Sequence, residues 1–139
     1  MKSLIVLFVS LVTAACATGY HPVYRFNEIL VVNLSGATIL DVDVRIAESP
    51  RTLQCQSVAQ NAMCYDRFGS RNYPQRGIEL GWTPADGSAK RETVNPRIPA
   101  FFMAAFPLRI VIEIRDDGSV NAFYEQEEPG RNGGIFISG

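Results

Sequence analysis

Alternation of apolar and polar residues in short segments is the feature that most restricts how this chain can fold. Residues 39–46 alternate strictly, and residues 76–83 and 108–115 repeat the pattern. A period of two residues is typical of a β-strand with one face on a hydrophobic core and the other in solvent. The residues predicted to face inward are Leu40, Val42, Val44, Ile46, Ile78, Leu80, Trp82, Leu108, Ile110, Ile112 and Ile114.

Turn-forming residues separate these segments and indicate more strands between them. The turn signals are Ser35-Gly36, Asp86-Gly87 and Asp117-Gly118, and the further strands predicted beside them cover residues 28–33, 88–95 and 119–126. Residues 53–64 could hold one turn of helix, and no segment has the pattern of a long amphipathic helix. We therefore predict an all-β fold, an antiparallel immunoglobulin-like β-sandwich of about seven strands, with a small β-barrel as the alternative.

The first sixteen residues carry a separate signal. Lys2 precedes an apolar run from Leu4 to Val12, and the small residues at 13–15 lead directly into Cys16. The run is too short to span a bilayer, which needs about 20 apolar residues. Its order is typical of a removable export signal.

The cysteine that follows the small residues makes this segment resemble a bacterial lipoprotein signal with a lipobox. The resemblance implies cleavage before Cys16 and a lipid anchor on that residue, and because Ala17 follows, it implies an outer-membrane location facing the periplasm. Ordinary secretion with a free Cys16 is the alternative. The predicted organisation is a signal peptide at 1–15, an anchor and tether at 16–25, a β-sandwich at 26–128 and a Gly-rich tail at 129–139.

Two cysteines remain once Cys16 is assigned to the lipid. In an oxidising compartment, an even remainder predicts a disulfide, here between Cys55 and Cys64. A redox-active pair is the other interpretation, but that chemistry usually uses a C-x-x-C spacing at the start of a helix. We expect the bond to be a structural link.

Several classes of function are disfavoured by what the sequence lacks. His21 is the only histidine, and it lies in the predicted tether, where a catalytic base or a zinc ligand would be poorly held. The net charge of −1 gives no indication of nucleic-acid binding. We expect no catalytic residue, no metal site and no cofactor.

Residues 65–76 form the strongest candidate site. Three aromatic residues and three arginines alternate here, on what the sequence predicts to be a long loop that begins next to Cys64. Tyrosine and arginine are enriched at the energetic centres of protein interfaces. The predicted partner-binding residues are Tyr65, Arg67, Phe68, Arg71, Tyr73 and Arg76. The alternative is that the aromatic residues cover the core and the arginines are solvated.

A second apolar cluster occupies residues 99–107. Phe101, Phe102, Met103 and Phe106 are too many large apolar residues for an ordinary solvent loop. We expect them to cover one open end of the sandwich, or else to form an exposed patch that binds a partner or enters a membrane.

These patterns favour a non-enzymatic envelope lipoprotein, an accessory or adaptor that binds another envelope protein. The architecture resembles small immunoglobulin-like periplasmic lipoproteins. A carbohydrate- or ligand-binding module that uses residues 65–76 is the alternative, and an enzyme acting on cell-wall glycan is the least favoured.

Overall fold

The computed structural model describes residues 22–126, which form a sandwich of two four-stranded β-sheets. The strands are β1 (Arg25–Leu34), β2 (Ile39–Ile46), β3 (Thr52–Val58), β4 (Met63–Asn72), β5 (Ile78–Thr83), β6 (Lys90–Val94), β7 (Leu108–Arg115) and β8 (Val120–Gln126). The all-β sandwich predicted from the sequence is confirmed, with eight strands where about seven were expected. No helix long and apolar enough to cross a membrane occurs in residues 22–126.

The order of strands is β4-β1-β7-β8 in the first sheet and β3-β2-β5-β6 in the second. Strands β1 and β7 pair in parallel, and every other pairing is antiparallel. The chain therefore crosses between sheets after β1, so β1 and β2 lie in different sheets. In an immunoglobulin constant domain, by contrast, the first two strands share one sheet.

The core lies between the two sheets and is built from the predicted inward residues, with one correction. All of them are buried except Leu40, which faces solvent while its neighbour Ile39 is buried. Asp41 has a positive φ of 50°, and the pairing of β2 with β5 shifts between Leu40 and Asp43. This bulge reverses the side on which the preceding residues point, which a strict period of two cannot show.

Asn33 holds together the end of the sandwich where β1 leads into β2. Its buried side-chain amide donates to the carbonyl oxygens of Ala37, Val58 and Ala59 at 2.8–3.1 Å, and its side-chain oxygen accepts a hydrogen bond from the backbone N–H of Ser35 at 3.0 Å. A buried polar side chain satisfied in this way links the turn after β1 to the turn after β3.

The predicted disulfide is confirmed, and it joins the two sheets. Cys55 lies on β3 and Cys64 on β4, with their Cα atoms 6.6 Å apart. Beside it, Arg51 pairs with Asp66 at 3.1 Å and lies over the ring of Phe68, 4.8 Å from its centroid. These contacts close the side of the sandwich at which β3 and β4 are the edge strands.

Two predictions of secondary structure were wrong, and other predicted features lie outside the described residues. Residues 52–58 form β3 and not a helical turn, and residues 63–72 form β4 and not a loop. Both are edge strands without a clear alternation: the outward residues of β4 include the apolar Met63 and Tyr65, and its inward residues include the charged Asp66. The signal peptide, Cys16, His21 and the tail at 129–139 fall outside residues 22–126.

Candidate binding surface

Strand β4 divides the predicted site residues between two sides of the first sheet. Leu30 of β1 is opposite Tyr65, and Glu28 is opposite Arg67, so both site residues lie on the outer face of the sheet. Phe68 points the other way and packs against the core, edge-on to Phe26 with ring centroids 5.1 Å apart. Tyr65 and Arg67 are therefore on one surface, and Phe68 is not part of it.

The other three predicted residues lie at or beyond the end of β4. Arg71 is exposed near the end of β4, where it pairs with Phe26. Arg76 is exposed and forms an ion pair with Glu48 at 3.3 Å. Tyr73 was predicted to be an accessible contact residue, but it is buried and its ring is part of the core.

A pair of tyrosines explains why Tyr73 is held inside. Its hydroxyl lies 2.5 Å from that of Tyr124, and its backbone N–H donates to the carbonyl oxygen of Tyr24 at 2.8 Å. Burial raises the pKa of Tyr73, while its hydrogen bond to Tyr124 acts in the opposite direction. Burial also raises the pKa of Tyr124, and the hydrogen bond between the two hydroxyls adds to the effect. Both phenols are thus held in the neutral form.

An apolar row crosses the whole outer face of the first sheet. The register aligns one residue from each strand, and we call this set the apolar stripe: Tyr65, Leu30, Val111 and Phe123. Tyr65 is 60% exposed, Leu30 and Phe123 are half-buried, and Val111 is covered by its neighbours. An outer sheet face is usually polar, so this row marks a surface suited to a contact.

A charged row borders the stripe on one side. It runs Arg67, Glu28, Arg109 and Glu125 across the same four strands. The buried Glu28 carboxylate accepts from Arg109 at 2.6 Å and from Arg67 at 3.2 Å, and Arg109 reaches Glu125 at 3.3 Å. Partial burial would lower the pKa of Arg109, but its hydrogen bonds and charge interactions, first with Glu28 and then with Glu125, raise it.

A mixed row borders the stripe on the other side. Met63 is 54% exposed and lies opposite Val32, and further along the row Asn121 donates to Glu113 at 3.0 Å. An apolar centre with a polar rim is the arrangement typical of a protein interface.

The outer face of the second sheet lacks such a row. One register line there carries Gln54, Asp43, Gly81 and Arg91, and the next carries Thr52, Arg45, Glu79 and Thr93. Asp43 pairs with Arg45 at 3.3 Å. This face has the polar composition expected of a solvated sheet surface.

Tyr65 of the stripe and Arg67 of the charged row were predicted from the sequence, whereas Leu30, Val111 and Phe123 were missed. A signal for them exists: residues 29–32 and 110–112 are continuous apolar runs. A strand that is apolar at consecutive positions places apolar side chains on both faces of its sheet.

A cavity of about 410 Å³ opens at one end of the sandwich. Its walls include Tyr24, Tyr73 and Tyr124, with Arg76 and Arg97 beside them. Two predicted site residues, Tyr73 and Arg76, thus meet here, away from Tyr65. Within residues 22–126, no group of three His, Cys, Asp or Glu side chains is placed to hold a metal ion.

The 99–107 segment matches both of its sequence interpretations in part. Phe102 packs against the core at the same end as the cavity, as a cover for the sandwich would. Phe101 is 81% exposed and Met103 is 56% exposed. The two residues on either side of Phe102 therefore form an exposed apolar tip.

Comparison with known proteins gives one structural similarity. No family model matches this sequence, and no curated protein matches it. A protein from Eubacterium rectale, whose structure was determined by NMR, aligns with a TM-score of 0.46 at 13% identity, over 74% of this chain and 91% of that protein.

Proposed function

We propose that this chain is a non-enzymatic lipoprotein of the bacterial cell envelope, an accessory or adaptor that binds another envelope protein. The binding surface is the outer face of the first sheet. The observation that carries the proposal is the apolar stripe, in which Tyr65, Leu30, Val111 and Phe123 are aligned across all four strands.

The stripe and its borders define the chemistry of the partner. The centre is flat and apolar, so it fits a flat apolar surface of similar width. The charged row presents Arg67 and Glu125 at its exposed ends, with Glu28 and Arg109 between them. A partner with an acidic group near Arg67 and a basic group near Glu125 would match this order.

The location of the proposed interaction comes from the sequence. The lipoprotein-type signal favours a lipid on Cys16 and an outer-membrane protein that faces the periplasm. The intact mass of the protein extracted from membranes tests the anchor, because an unmodified chain beginning at Cys16 would contradict it.

Site-specific photocrosslinking in cells tests the surface. A photoreactive amino acid replaces Tyr65 in one variant and Leu40 in a matched control. Both positions are exposed, but Leu40 lies on the outer face of the second sheet. We expect a discrete crosslinked product from position 65, and a loss of that product when Phe123→Ser removes the half-buried ring at the other end of the stripe, in a variant that keeps the wild-type melting temperature.

Three outcomes would contradict the proposal. Equal crosslinking from positions 65 and 40 would mean that the stripe is not a specific surface. No product from either position would mean that no partner covers the outer face of the first sheet. A product with twice the mass of this chain would identify the occupant as a second copy and not another protein.

A second candidate function is supported by the cavity. Three tyrosines and two arginines line about 410 Å³ of space, a size and chemistry that suit a sugar or another small polar ligand. Titration with a soluble N-acetylglucosamine oligomer tests it by calorimetry. Binding that is lost in Arg97→Ala but retained in Arg67→Ala, on the distant sheet face, would support this candidate.

A further inference from the structure

We infer that the exposed tip formed by Phe101 and Met103 enters the surface of the phospholipid bilayer to which the chain is anchored. This inference rests on the anchor in the proposed function and adds a second contact with the same membrane. It assigns opposite ends of the domain to different tasks: Met63 lies beside the partner surface, and Met103 faces lipid.

The tip is exposed because the loop holds it there. Phe102 N–H donates to the Pro99 carbonyl at 3.0 Å, and Phe106 N–H donates to that of Met103 at 3.1 Å, which closes two turns. Gln126 clasps the loop from β8: its side-chain oxygen accepts from Met103 N–H at 2.9 Å, and its amide donates to the Met103 carbonyl at 2.6 Å. Phe101 stands edge-on to Phe102, with centroids 5.0 Å apart. A large apolar side chain displayed by a fixed turn suits insertion, since little ordering is needed on contact.

The tip and the route of the chain to its anchor lie at the same end of the sandwich. The Tyr24 hydroxyl donates to the Phe102 carbonyl at 3.4 Å, and Gln75 donates to the Pro22 carbonyl at 3.5 Å. Five residues lie between Cys16 and Pro22, so the Cα atoms of those two residues can be at most about 22 Å apart. A lipid on Cys16 therefore keeps this end, and not the opposite end, close to the bilayer.

Two arginines lie at this end of the sandwich. Arg25 begins β1, directly after Tyr24, and Arg97 lines the cavity beside Tyr24; both are exposed. Among the described residues at this end, Glu48 pairs with Arg76 and Glu125 with Arg109. Guanidinium groups bind phosphate oxygens well, and every phospholipid headgroup supplies a phosphate. The combination of apolar tip and arginines fits a membrane interface better than a solvated loop.

A reversible tether makes the contribution of the tip measurable. In the chain that begins at Cys16, the disulfide leaves that residue as the single free thiol. Coupling it to a maleimide with one fourteen-carbon chain gives weak, reversible binding, because one such chain alone is a marginal anchor. Partitioning into vesicles of phosphatidylethanolamine and phosphatidylglycerol is then measured by sedimentation.

We expect Phe101→Ser to lower the partition coefficient by about tenfold or more, the effect of withholding one phenyl group from an apolar environment. Met103→Ser should lower it less, and the matched control Met63→Ser should leave it within about twofold. Met63 and Met103 are 54% and 56% exposed, so the control removes the same side chain at the other end of the domain. Equal partitioning of Phe101→Ser and Met63→Ser would overturn the inference.

Quenching by brominated phospholipids gives a second readout in the same vesicles. Met103→Trp should be quenched strongly, whereas Met63→Trp and the buried Trp82 should not. Because the tether is chemical, this result does not depend on natural lipidation of Cys16. If Cys16 is not lipidated, the intact mass of the native protein shows it. If the tip does not enter the bilayer, Trp at position 103 remains unquenched in this experiment.

Discussion

Tyr65 and Tyr73 belong to the same stretch of chain, yet Tyr65 is 60% exposed and Tyr73 is 5% exposed. Tyr65 is held on the outer face of the first sheet because β4 pairs with β1 there. Tyr73 lies after the last residue of β4, where the chain turns across the open end of the sandwich. Its ring packs edge-on against Phe26 and Tyr124 at 5.6 Å and 5.4 Å between centroids.

The difference shows that residue type alone does not assign a role within this segment. An edge strand exposes every second side chain, so an aromatic residue on its outer side is available for contact. A chain that leaves the sheet at an open end needs an apolar group to cover the core. A tyrosine ring can therefore form a surface contact or cover the core. Its role depends on whether the backbone at that position is paired in the sheet or has left it.

The largest effect that can test this contrast is on stability. We expect Tyr73→Ala to lower the free energy of unfolding by about 3–5 kcal/mol, because it removes a buried ring and leaves the Tyr124 hydroxyl without its partner. Tyr65→Ala should change it by less than about 0.5 kcal/mol, as at other exposed surface positions. Urea denaturation followed by Trp82 fluorescence measures both. Similar losses for the two variants would break the comparison.

The link between β4 and the second sheet should give the next largest effect. Closing a loop of about ten residues restricts the unfolded chain by roughly 2.5–3 kcal/mol. We expect the double variant Cys55→Ala with Cys64→Ala to lose about that much stability in urea. Reduction of the wild type is the matched control and should give the same loss. A loss near zero would mean that pairing with β1 is enough to hold the start of β4.

The tyrosine pair also predicts a dependence on alkaline pH. Burial raises the pKa of Tyr73 and Tyr124 above the ordinary value of 10.0, so above that pH the unfolded chain releases protons that the folded chain retains. The free energy of unfolding should therefore be unaffected by this pair below pH 10 and fall above it, by up to about 1.4 kcal/mol per pH unit for each tyrosine.

Paired variants isolate this contribution from other groups that titrate at high pH. Tyr73→Phe combined with Tyr124→Phe should flatten the loss of stability above pH 10. The control Tyr65→Phe removes a hydroxyl from an exposed ring and should follow the wild type. An equal slope in all three proteins would show that the pair does not govern alkaline stability.

Much of the fold follows from the sequence, because six strands are marked by apolar runs or alternation and by turns. The bounds predicted for β2 and β7 agree with the structure. The missed features depend on pairing. The bulge at Asp41 turns Leu40 outward, and β4 has no apolar alternation because Cys64, Asp66 and Phe68 are its inward residues. The stripe depends on register across four strands that are distant in sequence, which no local pattern contains.

The smallest expected effect is the most specific to the proposed function. Tyr65→Ala should reduce the crosslinking yield from a photoreactive residue at Met63 by about fivefold, equivalent to ~1 kcal/mol of partner binding. Arg76→Ala, at the other end of the same segment, is the matched control and should leave the yield unchanged. Both variants should keep the wild-type melting temperature, since both side chains are exposed. If Arg76→Ala reduced the yield and Tyr65→Ala did not, the contact would lie at the end with the cavity, and the stripe would have no role in binding.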